Sequence, residues 1–69
     1  MKKTVDARGL SCPQPVILTS QAIKEGQFPI EVFVDTVTAR ENVRRISERV
    51  GLHVSVEEAR DEFTLTITK

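Results

Sequence analysis

Between Ile30 and Val50 the apolar residues of this chain change their period, and that change restricts the possible folds more than any other feature. The run Ile30-Glu31-Val32-Phe33-Val34-Asp35 alternates, so it reads as a strand with Ile30, Val32 and Val34 turned inward. After a turn at Thr36 to Thr38, the residues Ala39, Val43, Ile46 and Val50 recur at helical spacing and form one apolar stripe. Thr38 with Glu41 fits a capping box at the start of this helix, and Gly51 marks its end. The strand has one apolar face and the helix one apolar stripe, so the two must be layered against each other.

The remaining segments follow the same logic. Lys2 to Ala7 reads as a short strand with Val5 and Ala7 on one side and Thr4 and Asp6 on the other. A first helix is predicted from Pro13 to Glu25, stopped by Gly26. At about 100° per residue, Pro15, Val16, Leu18, Ala22 and Ile23 gather on its inner side, whereas Ile17 points outward with Gln14, Gln21 and Lys24. Near the end of the chain Leu52, Val54 and Val56, then Phe63, Leu65 and Ile67, alternate with polar residues and form an antiparallel hairpin around an acidic turn from Glu57 to Glu62. The predicted fold is an α+β two-layer sandwich of order βαβαββ, with a mixed four-stranded sheet, two helices on one face and the other face open to water. The first strand-helix-strand unit is expected to be a right-handed parallel crossover. Phe33 falls on the open face, where it either packs along its own sheet or meets a partner.

Length and charge narrow the function. Sixty-nine residues make a single domain, 1–69, that buries about 60% of its unfolded surface and has no room for a deep substrate pocket. Ten basic and ten acidic residues cancel, which removes the charge argument for direct nucleic-acid binding. No apolar run approaches the roughly 20 residues of a membrane span, and Met1-Lys2-Lys3 leads into a strand and not into a signal-peptide core. One cysteine cannot form an internal disulfide, so a reducing, cytoplasmic setting is expected. The chain is expected to be a monomer. Cys12 and the distant His53 do not make a metal site, and no cofactor is expected.

Chemistry is expected at Cys12, in Cys12-Pro13-Gln14-Pro15. With Pro13 at the first helical position and Pro15 at the third, Cys12 falls at the N-cap, facing the positive end of the helix dipole. Pro15 removes one capping amide and leaves that of Gln14. The dipole is worth roughly 0.3–1 kcal/mol on an exposed group, so the thiol should be only mildly activated. The competing reading is a buried cysteine acting as a small hydrophobe. Asp6, at the end of the first strand, either hydrogen-bonds amides of the Arg8-Gly9 turn or acts on the sulfur. Arg8 is either plain surface charge or a steering cation, and Gly9 supplies a backbone angle that other residues resist. On the second helix Arg40, Arg44, Arg45 and Arg49 read as a solvated face neutralised by Glu41–Arg45 and Arg44–Glu48 pairs. A hydrolytic thiol needs a base nearby, and His53 lies on a late strand. A carrier needs only an exposed thiol, a rigid base and a docking surface.

The stretch Asp6-Ala7-Arg8-Gly9-Leu10-Ser11-Cys12-Pro13-Gln14-Pro15 resembles the signature of the TusA/SirA/YedF family of small sulfur-carrier proteins, and the order of elements is similar along essentially the whole chain. The resemblance implies that Cys12 accepts a persulfide sulfur from a protein donor, such as a cysteine desulfurase or a rhodanese-like protein. Cys12 would then pass the sulfur to an acceptor protein in tRNA thiolation or other sulfur trafficking. Where TusA-like members have Asp-Asp-Pro and Asp-Ile-Pro, this chain has Asp35-Thr36-Val37-Thr38; its Ala39-Arg40-Glu41-Asn42-Val43 run looks like the amino-terminal domain of YedF-type proteins, associated with selenium or sulfur metabolism. A selenium-related role and a regulatory or scaffold module stand as the alternatives. A relay brings a partner over the start of helix 1, which makes Ile17 the expected apolar anchor, with Lys24 and Arg8 at its charged rim.

Overall fold

The computed structural model describes residues 3–10 and 14–69. Strand β1 (Lys3–Asp6), helix α1 (Gln14–Glu25), strand β2 (Ile30–Val34), helix α2 (Val37–Arg49) and the hairpin β3 (His53–Ala59) and β4 (Glu62–Thr68) follow one another in the predicted order. The sheet runs β1-β2-β4-β3, so β4 enters the middle and β1 and β3 form the edges. β1 lies parallel to β2, and β4 is antiparallel to both β2 and β3.

The register explains why one face is dry. Val5 pairs with Val32, Val32 with Leu65, and Leu65 with Val56, so a row of apolar residues crosses all four strands on the helix side. Ile30, Val32, Val34, Leu65 and Ile67 are wholly buried there, each contributing on the order of 1.5–3 kcal/mol through burial. The row Asp6, Phe33, Thr64 and Glu57 crosses the opposite, open face. Phe33 is half-buried within it, under the guanidinium of Arg8 at 5.7 Å from the ring centroid. At the outer edge, β3 carries Glu57 and Glu58, whose charges discourage edge-to-edge pairing, and it leaves Val56 39% exposed.

Several details differ from the sequence expectation. α2 begins two residues early: Thr36, not Thr38, is its cap, with extended backbone and a hydroxyl that accepts the Ala39 N–H at 3.0 Å. Glu41 therefore does not close a capping box. It accepts from Arg44 at 2.7 Å and Arg40 at 3.1 Å in place of the expected Arg45, whereas the Arg44–Glu48 pair forms at 3.3 Å. The inner stripe of α2 advances from Val43 to Ser47, which is fully buried and donates to the Val43 carbonyl at 2.9 Å. Val50 sits past the end of the helix, 57% exposed. On α1 the deepest residues are Pro15, Thr19 and Ala22, while Val16, Leu18 and Ile23 are half-buried. Thr19, absent from the predicted stripe, is buried, and its hydroxyl has no hydrogen-bond partner among the described residues. The hairpin turn is tighter than expected: β3 continues to Ala59, and only Arg60, with φ +57°, and Asp61 separate it from β4.

Candidate functional site

The predicted site lies where β1 ends and the chain crosses to α1. Ala7 continues the β1–β2 ladder, its N–H donating to the Phe33 carbonyl at 2.8 Å. The Leu10 N–H then returns to the Ala7 carbonyl at 3.4 Å, and Gly9, in third position, has φ +76°. A positive φ of roughly +80° at that position is the mark of a type II turn, which glycine adopts without steric cost.

Two carboxylates hold this turn. Asp6 accepts the Arg8 backbone N–H at 3.2 Å and grips the Arg8 guanidinium with both oxygens, at 2.9 Å each. The Gly9 N–H goes elsewhere, to the Asp35 carboxylate at 2.9 Å. The hydrogen bonds from the Arg8 side chain, and then from its amide, hold the Asp6 carboxyl down at about 2, and the same pairing raises Arg8. Arg8 also reaches Glu62 at 3.2 Å and covers Phe33, so its guanidinium lies across the open sheet face between two carboxylates. Asp6 thus takes one of the two turn amides expected of it.

Asp35 and Glu62 were not singled out in the sequence. Asp35 follows β2, the parallel neighbour of β1, and in the register Asp6 pairs with Phe33, two residues before Asp35. A pair of adjacent parallel strands brings its carboxyl ends to one crevice, and that rule would have pointed to Asp35. Glu62 follows a hairpin turn, and no local pattern links it to Arg8.

Helix α1 starts with Gln14 exposed and Pro15 buried. Cys12 and Pro13, expected to be its cap and first residue, lie outside the described residues. On the surface Leu10, Gln14, Ile17 and Leu18 line one shallow depression, Leu10 and Gln14 being the described residues that flank residues 11–13 in sequence. Ile17 is 48% exposed within it. Lys24 is also exposed, but it sits in the last turn of α1, about 10 Å further along at 1.5 Å per residue, outside this depression. His53 opens β3 at the far edge of the sheet. Among the described residues no group of His, Cys, Asp and Glu could hold a metal ion, and no helix is long and apolar enough to cross a membrane.

A family model described as Sulfurtransferase TusA matches residues 3–69. The chain belongs to the TusA sulfurtransferase family. A protein of Methanocaldococcus jannaschii, named as a candidate sulfur carrier protein, is 37% identical over 71 residues, covering 97% of this chain and 93% of that protein. The crystal structure of the SirA-like protein from Desulfitobacterium hafniense superposes with a TM-score of 0.85 at 30% identity, covering 99% of this chain and 96% of that one. The α+β sandwich is therefore the fold of a SirA-like protein, and the chain is a TusA-like sulfur-carrier domain.

Proposed function

We propose that this chain carries sulfur as a persulfide on Cys12, between a protein donor and a protein acceptor. The observation that best supports this reading is the join between a pinned turn and an apolar depression. Asp6 and Asp35 fix the chain before Cys12, and Leu10, Ile17 and Leu18, on either side of it in sequence, offer a partner an apolar seat. The Cys12 thiolate attacks the terminal sulfur of a donor's cysteine persulfide. The donor S–S bond breaks, the donor cysteine leaves as a thiolate, and the transferred sulfur and its proton remain on Cys12. An acceptor thiolate repeats the step on the loaded Cys12, so no outside oxidant or reductant is consumed. The helix dipole favours the anionic persulfide, which suits a loaded form that waits for its acceptor.

Within this reading Gly9, Pro13, Gln14 and Pro15 shape the thiol segment, Asp6 and Arg8 brace it, Ile17 anchors the partner and Lys24 aids encounter. The donor is a cysteine desulfurase or a rhodanese-like protein. The run Ala39-Arg40-Glu41-Asn42-Val43 adds little weight to a selenium role. Ala39 and Val43 pack in the core, Arg40 lies 4.8 Å from the Phe63 ring centroid, and Glu41 pairs with Arg40 and Arg44. The test is mass spectrometry after incubation with a cysteine desulfurase and cysteine. The expected result is a gain of one sulfur atom on Cys12, absent in Cys12→Ser, which keeps its fold because Ser is a good N-cap. Loading of Cys12→Ser, or none on the parent chain, overturns the carrier reading.

A further inference from the structure

We propose that Asp35 is a positioning residue for sulfur transfer, acting through Gly9 on the segment that carries Cys12; this rests on the persulfide-carrier reading. The Gly9 N–H belongs to the central peptide of the Ala7–Leu10 turn, and that peptide distinguishes the two common turn types. Going from type II to type I changes ψ of the second residue from roughly +120° to −30° and φ of the third from roughly +80° to −90°, a half-turn of this one peptide plane. Asp35 accepts its N–H at 2.9 Å while Gly9 holds φ +76°. In the flipped turn the Arg8 carbonyl would face the Asp35 carboxylate, acceptor against acceptor. Asp35 thus favours one turn and opposes the other.

The bond is also long-range in sequence. Asp35 comes from the connection after β2, so it ties the turn to the second parallel strand and to the start of α2. Asp6 holds the Arg8 amide from β1, at the turn's other exposed N–H. With both amides held and Leu10 closing onto Ala7, the chain leaves the sheet in one direction, three residues before Cys12 in the case of Gly9. A sulfur relay within a docked complex depends on holding the reacting atoms in attack geometry, so loosening the origin of that segment should slow the transfer step and leave docking intact.

The test compares Asp35→Ala, Asp35→Ser and Asp35→Asn in single-turnover loading by a desulfurase charged with cysteine. Asn keeps an oxygen acceptor of the same reach; Ala has none, and the Ser hydroxyl is too short. The expected result is a limiting first-order loading rate at least fivefold lower in Ala and Ser, within twofold of the parent in Asn, with the half-saturating concentration unchanged throughout. Gly9 amide exchange should quicken at least tenfold in Ala and Ser, while amides of β2 and β4 keep their protection. Parental rates in Ala or Ser overturn the proposal, as does failure of Asn to restore them, or a change confined to half-saturation. If Ala does not fold, Ser carries the same judgement. If the parent chain itself takes no sulfur, the carrier reading falls, whereas loading by the parent with equal loading by Asp35→Ser removes only the role of Asp35.

Discussion

The chain leaves a parallel strand and enters a helix twice, and the two junctions are built differently. From β2 to α2 only Asp35 and Thr36 intervene, and Thr36 caps the helix with its hydroxyl on the Ala39 amide. From β1 to α1 the connection spans residues 7–13, with a glycine turn held by one carboxylate from the end of β1 and one from the β2–α2 connection, and with Cys-Pro in the sequence where Ser or Thr would ordinarily precede a helix. The helices differ in the same sense. α2 is bound along its outer side by Arg40, Glu41, Arg44 and Glu48, whereas α1 leaves Ile17 half exposed in its second turn. One junction is built for stability. The other starts from a turn pinned by two carboxylates and keeps Ile17 uncovered. The short junction serves the long one, because Asp35 reaches across from it.

Ile17→Asp attacks the exposed side of α1 and should have the largest effect. We expect sulfur transfer from the partner to fall at least tenfold, about 1.4 kcal/mol, while alkylation of Cys12 by small reagents is unchanged. With Ile17 48% exposed, stability should shift by no more than about 0.5 kcal/mol. Transfer at the parental rate would place the docking surface elsewhere, and an unfolded variant would mean that α1 packs more deeply than described.

Thr36→Ala is the opposite experiment on the other junction. It removes the acceptor for the Ala39 N–H, and loss of such a cap costs about 1 kcal/mol. Urea unfolding should show that loss, with sulfur loading of the folded protein unchanged. A matching loss in Thr38→Ala, and none in Thr36→Ala, would restore the cap expected from sequence and weaken the contrast between the junctions.

The two junctions were unequally legible in the sequence. Ile30, Val32 and Val34 announce their strand because period two leaves no other way to bury them together, and Ile17 stands out because it misses the helical stripe. Thr19 and Ser47 are hydroxyl residues that bury as small side chains, and no hydropathy pattern marks them. A capping-box rule favours Thr38, with Glu41 three residues on, over Thr36, with Ala39; the extended backbone at Thr36 and its bond from the Ala39 N–H decide the other way. The contacts at the thiol junction are hardest to read, because Gly9 meets Asp35 and Arg8 meets Glu62 across the sheet, through pairings that exist only once β1, β2 and β4 are aligned. Family signature and periodicity point to the segment around Cys12, whereas the through-space partners of the turn before it follow only from the register.

The smallest effect concerns acid. Asp6 is held at about 2 against an ordinary 3.8, first by the Arg8 side-chain hydrogen bond and then by the Arg8 amide. A carboxyl lowered in the folded state binds fewer protons there than in the unfolded chain. Its stabilising contribution is therefore complete above about 3.8 and is lost as the pH falls through about 2. Both partners are exposed, so the contribution is modest and screened by salt. Glu41 on α2 is likewise lowered, chiefly by Arg44, and supplies a separate acid-sensitive share. Followed by urea midpoints between pH 4 and pH 2, Asp6→Asn should flatten part of the parental decline, Glu41→Gln another part, and the double variant the sum, since the two pairs share no partner. Only removing the acceptor altogether, in Asp6→Ala, should also quicken exchange at the Arg8 amide. An equal response at Arg8 to Glu41→Gln would mean that the two junctions are energetically one unit, and the contrast between them would fail.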